Sequence, residues 1–388
     1  MKGAGIFAAV ALTVVILIGA SYYALVVVDD TGSSVGFQHG DLVKPTAPLA
    51  PTSNLSLIGN MSLVPISAEN INLFWNITED IYAGYGGALQ LRIENMNPGT
   101  LYVYSFGLKW AESGQTYMRN CSVAIVSGDT RDVGLLLFGA PSAGTAKYQI
   151  IVKAAVSNRA GTTWYDAGTM PSSSNTATID PLTYARDQNV ELNVKDYYNR
   201  VNERIDTKVV ASLAQSIEDA YPGGYSTLQI ARAYEWVKDN IAYISDTSTD
   251  YWQTASETLS RGTGDCEDHA ILLCSMISAL GGTSRVNIIQ EHAFPTVYIG
   301  STAGDLLKAK QSLASFYGLE TSEYRMTYLT DASGYWLVID TTGFPYAGGL
   351  PAKSEPTTAD GNWTMLSSYL VSIDVTGKTI SGGVLGSL

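Results

Sequence analysis

Between residues 66 and 172 apolar side chains recur at every second position in short runs, whereas beyond residue 207 they recur every three or four. The first spacing places one face of a strand in a core and the second does the same for a helix, so the chain changes structural class about halfway along. The alternating runs are 88–95, 101–106, 133–138 and 148–156. Turn clusters such as Asn97-Pro98-Gly99 and Ser127-Gly128-Asp129 separate them. This rhythm predicts an antiparallel β-sandwich of immunoglobulin-like architecture over 66–172, serving as a carbohydrate- or protein-binding module or as a spacer. The polar segment 173–184 reads as a linker.

After it, Val209, Val210, Leu213 and Ile217 mark one helix, stopped by Pro222-Gly223-Gly224. Ser226 and Gln229 form a capping box for a second, which buries Ile230, Tyr234, Val237 and Ile241. A third predicted helix opens at Cys266, runs nearly all-apolar from Ala270 to Leu280, and ends at Gly281-Gly282. Two runs rich in β-branched and aromatic residues, starting at His292 and ending at Asp340, read as strands. The region 185–388 is therefore an α+β domain, with helices packed on a sheet.

The N-terminus follows a third pattern. From Gly3 to Val28 there is no charged residue, longer than the roughly 20 apolar residues that cross a bilayer. Residues 1–28 are expected to be an uncleaved transmembrane anchor, since the apolar character runs past the length of a signal-peptide core. Lys2 before it and Asp29-Asp30 after it orient the remaining chain outward. Residues 29–65, aperiodic and proline-containing, form a stalk. Asn54, Asn60, Asn76, Asn120 and Asn362 each begin a glycosylation triplet, which agrees with an extracytoplasmic location at the cell membrane.

Composition narrows the partners. With 36 acidic against 23 basic residues, a net charge of −13 excludes a nucleic-acid partner, because phosphate binding depends on clustered basic groups. Three cysteines give no disulfide framework. Cys266 and His269 lack a second ligand pair, and no EF-hand loop is present, so neither a metal nor any other cofactor is implied. His269 reads as a partly exposed residue of the first helical turn.

What stands out is Cys266 itself. At a helix N-terminus the unpaired N–H groups and the dipole favour thiolate over thiol. Cys274, deep in the apolar run, suits a buried hydrophobe better. His292 at one strand start supplies a candidate base and Asp340 at another strand end a candidate orienting acid.

Over roughly residues 226–345 the chain resembles the transglutaminase-like superfamily of papain-type cysteine acyl-transfer folds. The resemblance rests on Gly264-Asp265-Cys266-Glu267-Asp268, Ala279-Leu280-Gly281, Arg285-Val286, His292-Ala293-Phe294 and Trp336-Leu337-Val338-Ile339-Asp340, with 233–241 and 252–259 upstream. It implies a Cys266, His292 and Asp340 triad acting on amide bonds of protein or peptide substrates, peptide hydrolysis being favoured over crosslinking. The oxyanion donor is not fixed by these motifs; Gln253 and Trp252 are candidates beside the Cys266 backbone N–H. Residues 301–334, with helical patterning over 305–317, read as an insertion that covers or shapes the cleft. A noncatalytic surface protein that only binds through this fold is the alternative.

Overall fold

The computed structural model describes residues 70–161, 164–183, 189–192, 195–246 and 250–375. The expected anchor, the stalk, Asn54 and Asn60 lie outside them. Among the described residues no helix is long and apolar enough to cross a membrane. Asn76, Asn120 and Asn362 are all exposed.

The N-terminal region is β-rich. One antiparallel sheet joins β1 (Ile71–Ile77), β2 (Gly87–Asn95) and β5 (Thr130–Phe138). A second joins β3 (Leu101–Trp110), β4 (Thr116–Ile125), β6 (Gly144–Ser157) and β7 (Trp164–Pro171). Their inner faces share one core that includes Leu89, Leu91, Val133, Phe106, Trp110 and Val152. In β3 the buried apolar positions are Leu101 and Val103, then Phe106, Leu108 and Trp110. A register shift between Val103 and Ser105 accounts for the change of parity, since one extra residue turns the following side chains to the other face.

The expected linker at 173–184 requires correction. Asn175–Ile179 forms β8 and pairs with residues Gly144 to Tyr148 of β6. Thr176 and Thr178 alternate with Ala177 and Ile179, which turn to the β core, so the segment fills a strand ladder although it carries little apolar signal. In β5 the continuous Leu135-Leu136-Leu137-Phe138 run is buried on two sides: Leu136 and Phe138 face the β core, while Leu135 and Leu137 join Tyr82, Tyr85 and Ala88 in the core of the following domain.

That domain begins with β9 (Asn189–Leu192), α1 (Lys195–Asn202), α2 (Ala211–Ala220), α3 (Thr227–Asn240) and β10 (Ala242–Tyr243). It continues through α4 (Ala255–Arg261), β11 (Thr263–Gly264), α5 (Cys266–Ala279), β12 (Ser284–Ile289), β13 (His292–Gly300), α6 (Ala303–Phe316), β14 (Tyr328–Asp331) and β15 (Gly334–Val338). After the small hairpin β16 (Ser354–Pro356) and β17 (Trp363–Met365) the chain returns as β18 (Tyr369–Asp374). The six-stranded sheet has the order β14-β15-β13-β12-β18-β9, antiparallel except for the β18–β9 pair.

The capping box at Ser226 and Gln229 starts α3 as expected. Gly281, at φ 83°, closes α5: its N–H donates to Ser278 and that of Gly282 to Ile277, a Schellman ending. Being apolar on nearly every side, α5 is the central buried helix, packed on β12 and β13.

None of residues 301–334 lines the cleft that holds Cys266. Ala309, Leu313, Ala314, Tyr317 and Tyr324 enter the main core instead. Arg325 then reaches the N-terminal region, donating to the carbonyls of Gly87 at 3.3 Å and Phe138 at 3.1 Å, with its guanidinium 4.5 Å above Tyr85. The insertion therefore seats the β-rich region.

Candidate active site

Gly264, two positions before α5, explains much of the local motif. A Cβ on Gly264 would lie 2.6 Å from the Asp268 Cβ, so only glycine allows this approach. Asp268, 1 % exposed, then fastens the neighbouring segment: Oδ1 accepts from the Gln253 backbone N–H at 2.6 Å, and Oδ2 from Gln253 Nε2 at 2.5 Å and the Asp265 N–H at 3.3 Å. Burial raises its pKa to about 6 despite these bonds. Cys266 follows as the first residue of α5, half-buried in the wall of a cleft of about 560 Å³.

His292 and Ala293 line the same cleft from the sheet side. His292 starts β13 after the two-residue turn Gln290-Glu291, in which Glu291 adopts φ 60°. Its Nε2 donates to Asp340 Oδ2 at 2.8 Å, leaving Nδ1 as the other ring nitrogen. Asp340 is held by three further bonds, from the Thr342 N–H and hydroxyl to Oδ1 at 2.9 and 2.8 Å, and from the Ala352 N–H to Oδ2 at 2.9 Å. Burial alone would push its pKa up. The His292 charge and these donors outweigh it, so Asp340 stays below the usual carboxylate range.

The helix side behaves differently from the sequence expectation. Burial pushes the Cys266 thiol well up, and so do the charge and hydrogen bond of Glu267; the nearby Ala293 backbone N–H pulls it only partly back. The Cys266 Sγ donates to Glu267 Oε2 at 3.0 Å. A helix dipole acting alone would favour the thiolate, but low dielectric and an adjacent carboxyl oppose it here. Glu267 is itself raised to about 8 by burial, with Asp265 and Asp250 adding to the rise.

Both oxyanion candidates are otherwise engaged. Gln253 Nε2 is held by Asp268, and Trp252 Nε1 donates to Asp250 Oδ1 at 2.9 Å while its ring lies under Arg200. Trp252 lines the cleft; Gln253 does not. His269 is buried rather than partly exposed. Its Nδ1 bonds Thr341 Oγ1 at 2.9 Å, tying α5 to the residue after Asp340, and burial lowers its pKa to about 4. Cys274 is wholly buried and its thiol raised to about 12 by burial.

Sequence reasoning missed several cleft residues. Tyr197 on α1 and Tyr369 on β18 carry no motif and arrive from distant segments. Asp246 and Asp250 also line the cleft, beside Asp265 and Glu267. The acidic run around Cys266 was the one legible hint of that wall.

Residues 211–302 match the model of the transglutaminase-like superfamily. No curated protein sequence matches the chain. Among solved structures, a candidate protease from Parabacteroides distasonis shares 10% identity at a TM-score of 0.24, covering 60% of this chain and 66% of its own. A candidate cysteine protease from Cytophaga hutchinsonii shares 11% identity at a TM-score of 0.25, covering 82% and 93% respectively. This chain thus spans just under two thirds of the Parabacteroides protein. The α2 to β13 core that carries Cys266 and His292 is thus the part of the chain that is similar to transglutaminase-like domains.

Proposed function

We propose that the chain is a cysteine peptidase or amidase in which Cys266, His292 and Asp340 form a triad, anchored in the cell membrane with its domains outside. The observation that carries this reading is the buried 2.8 Å bond from His292 to Asp340, with His292 lining the same cleft as Cys266. With Nε2 held by Asp340, Nδ1 is the nitrogen that accepts the Cys266 proton. The thiolate attacks an amide carbonyl, the imidazolium protonates the leaving amine, and a thioester remains on Cys266. Water deprotonated by His292 then releases the acid and restores the thiol. The Cys266 backbone N–H, first of its helix, is our candidate oxyanion donor. Asp340, ionised at neutral pH, fixes the tautomer and stabilises the imidazolium.

We read the β-rich region as an immunoglobulin-like module that presents substrate or spaces the domain from the bilayer. A noncatalytic binding role is favoured by one observation, the raised thiol of Cys266. The two readings separate cleanly. Wild-type protein is expected to cleave peptides and to be labelled at Cys266 by a peptidyl electrophile, and Cys266→Ala to lose both while keeping its circular dichroism. Undiminished turnover by Cys266→Ala would sink the enzyme reading at this residue, and an unreactive wild type would support the binding role.

A further inference from the structure

Because α5 is apolar on nearly every side, burial alone specifies its rotation about its own axis only weakly. That rotation decides where the Cys266 thiol points. Directional contacts near the start of the helix must therefore fix it. Asp268 grips Gln253 ahead of α4, and His269 grips Thr341, with Nδ1 and Oγ1 2.9 Å apart. Residues three apart share a helix face, so Cys266 and His269 turn together. His269 is 4 % exposed, and its ring meets the edge of the Tyr243 ring with centroids 6.2 Å apart. Thr341 is itself anchored, because it directly follows Asp340, which accepts four hydrogen bonds, one of them from His292. A path of short contacts thus runs from Cys266 through one helical turn to His269, Thr341, Asp340 and His292, and both of its ends line the cleft.

We propose that His269 is a positioning residue which, acting through Thr341, sets the rotation of α5 and so the approach of the Cys266 thiol to His292. The proposal rests on the triad reading above and adds a fourth member that touches neither substrate nor the reacting atoms, since His269 does not line the cleft. Burial keeps its ring neutral above about pH 4, although the nearby Asp340 charge favours the protonated form. A neutral ring can hold Thr341 without drawing the Asp340 charge away from the His292 imidazolium. A lysine or arginine at this position would compete for that charge.

The rate at which iodoacetamide alkylates Cys266 in the full-length protein at neutral pH, located by peptide mass, tests this. Alkylation needs the thiolate, which forms when His292 takes the proton. His269→Gln carries its amide past the Nδ1 position, and Thr341→Val keeps the shape but loses the hydroxyl; each should slow labelling by about tenfold or more. His269→Asn, whose amide falls where Nδ1 stands, should label close to the wild-type rate although it too replaces the imidazole. On an Asp340→Asn background His269→Gln should slow labelling no further, because both act on one proton transfer. Thermal melts check folding, and Thr341→Val, at a half-buried residue outside the helix, carries the test where a helix variant does not fold. Folded His269→Gln and Thr341→Val proteins labelled at the wild-type rate overturn the proposal. So does a full additional loss on the Asp340→Asn background, or equal slowing by His269→Asn and His269→Gln, which would reduce His269 to packing. Equal labelling of wild type and Asp340→Asn would instead remove the triad itself.

Discussion

The two walls of the cleft are built on opposite principles. On the sheet side, the Asp340 carboxylate accepts four hydrogen bonds, one of them from His292, and stays ionised although it is buried. On the helix side, Cys266, Glu267 and Asp265 crowd together with raised pKa values and an unpaired Asp265 oxygen. One wall is satisfied and holds its charge in place; the other is frustrated and holds its proton. In the proposed triad the proton acceptor gains from fixed geometry, whereas the Cys266 thiol becomes reactive only once the Glu267 carboxyl leaves it.

The sharpest way to break this contrast is at its rigid half. Asp340→Asn keeps the shape but cannot hold the His292 tautomer, so kcat should fall by about 10³–10⁴ with KM little changed. A loss below about tenfold would mean that Asp340 is structural only.

Gly264→Ala attacks the helix half through packing alone. The added methyl meets the Asp268 Cβ at 2.6 Å, with no flexible end to yield, and should cost about 3 kcal/mol in chemical denaturation. An unchanged midpoint would show that the Asp268 clasp on Gln253 moves freely.

Glu267→Gln probes frustration directly. Burial pushes its carboxyl up to about 8 from an ordinary value of about 4.5, so its neutral form favours the native state. That contribution is complete below pH 4.5 and lost as pH rises through about 8. The glutamine variant should escape this loss, standing about 1–2 kcal/mol above wild type at pH 9, and its Cys266 should alkylate faster there. Parallel pH–stability curves would show that burial does not raise the Glu267 carboxyl. The smallest effect belongs to the strand half: Glu291→Asn, at φ 60°, should raise stability by a few tenths of a kcal/mol in chemical denaturation.

Sequence reading reached far along the helix that bears Cys266. Its start, its apolar faces and its Gly281 stop are local events, as are the Ser226 capping box and the strand that begins at His292. Where it failed, the deciding contact was remote. The 175–179 strand exists because β6 offers a free edge, and residues 301–334 look like a lid until Arg325 is seen bound to Gly87 and Phe138. Gln253 looks like a free donor until Asp268 is placed beside it.

By itself, then, the order of residues determined which segments became helices and strands and which side chains could carry thiol, imidazole and carboxylate chemistry. These depend on periodicity, caps and functional groups that act over a few residues. Only the tertiary structure decided the protonation of Cys266, the convergence of Asp246, Asp265 and Glu267, and the arrival of Tyr369 at the cleft. Each of these is set by burial and by neighbours many residues away, and such fields have no local spelling in the chain.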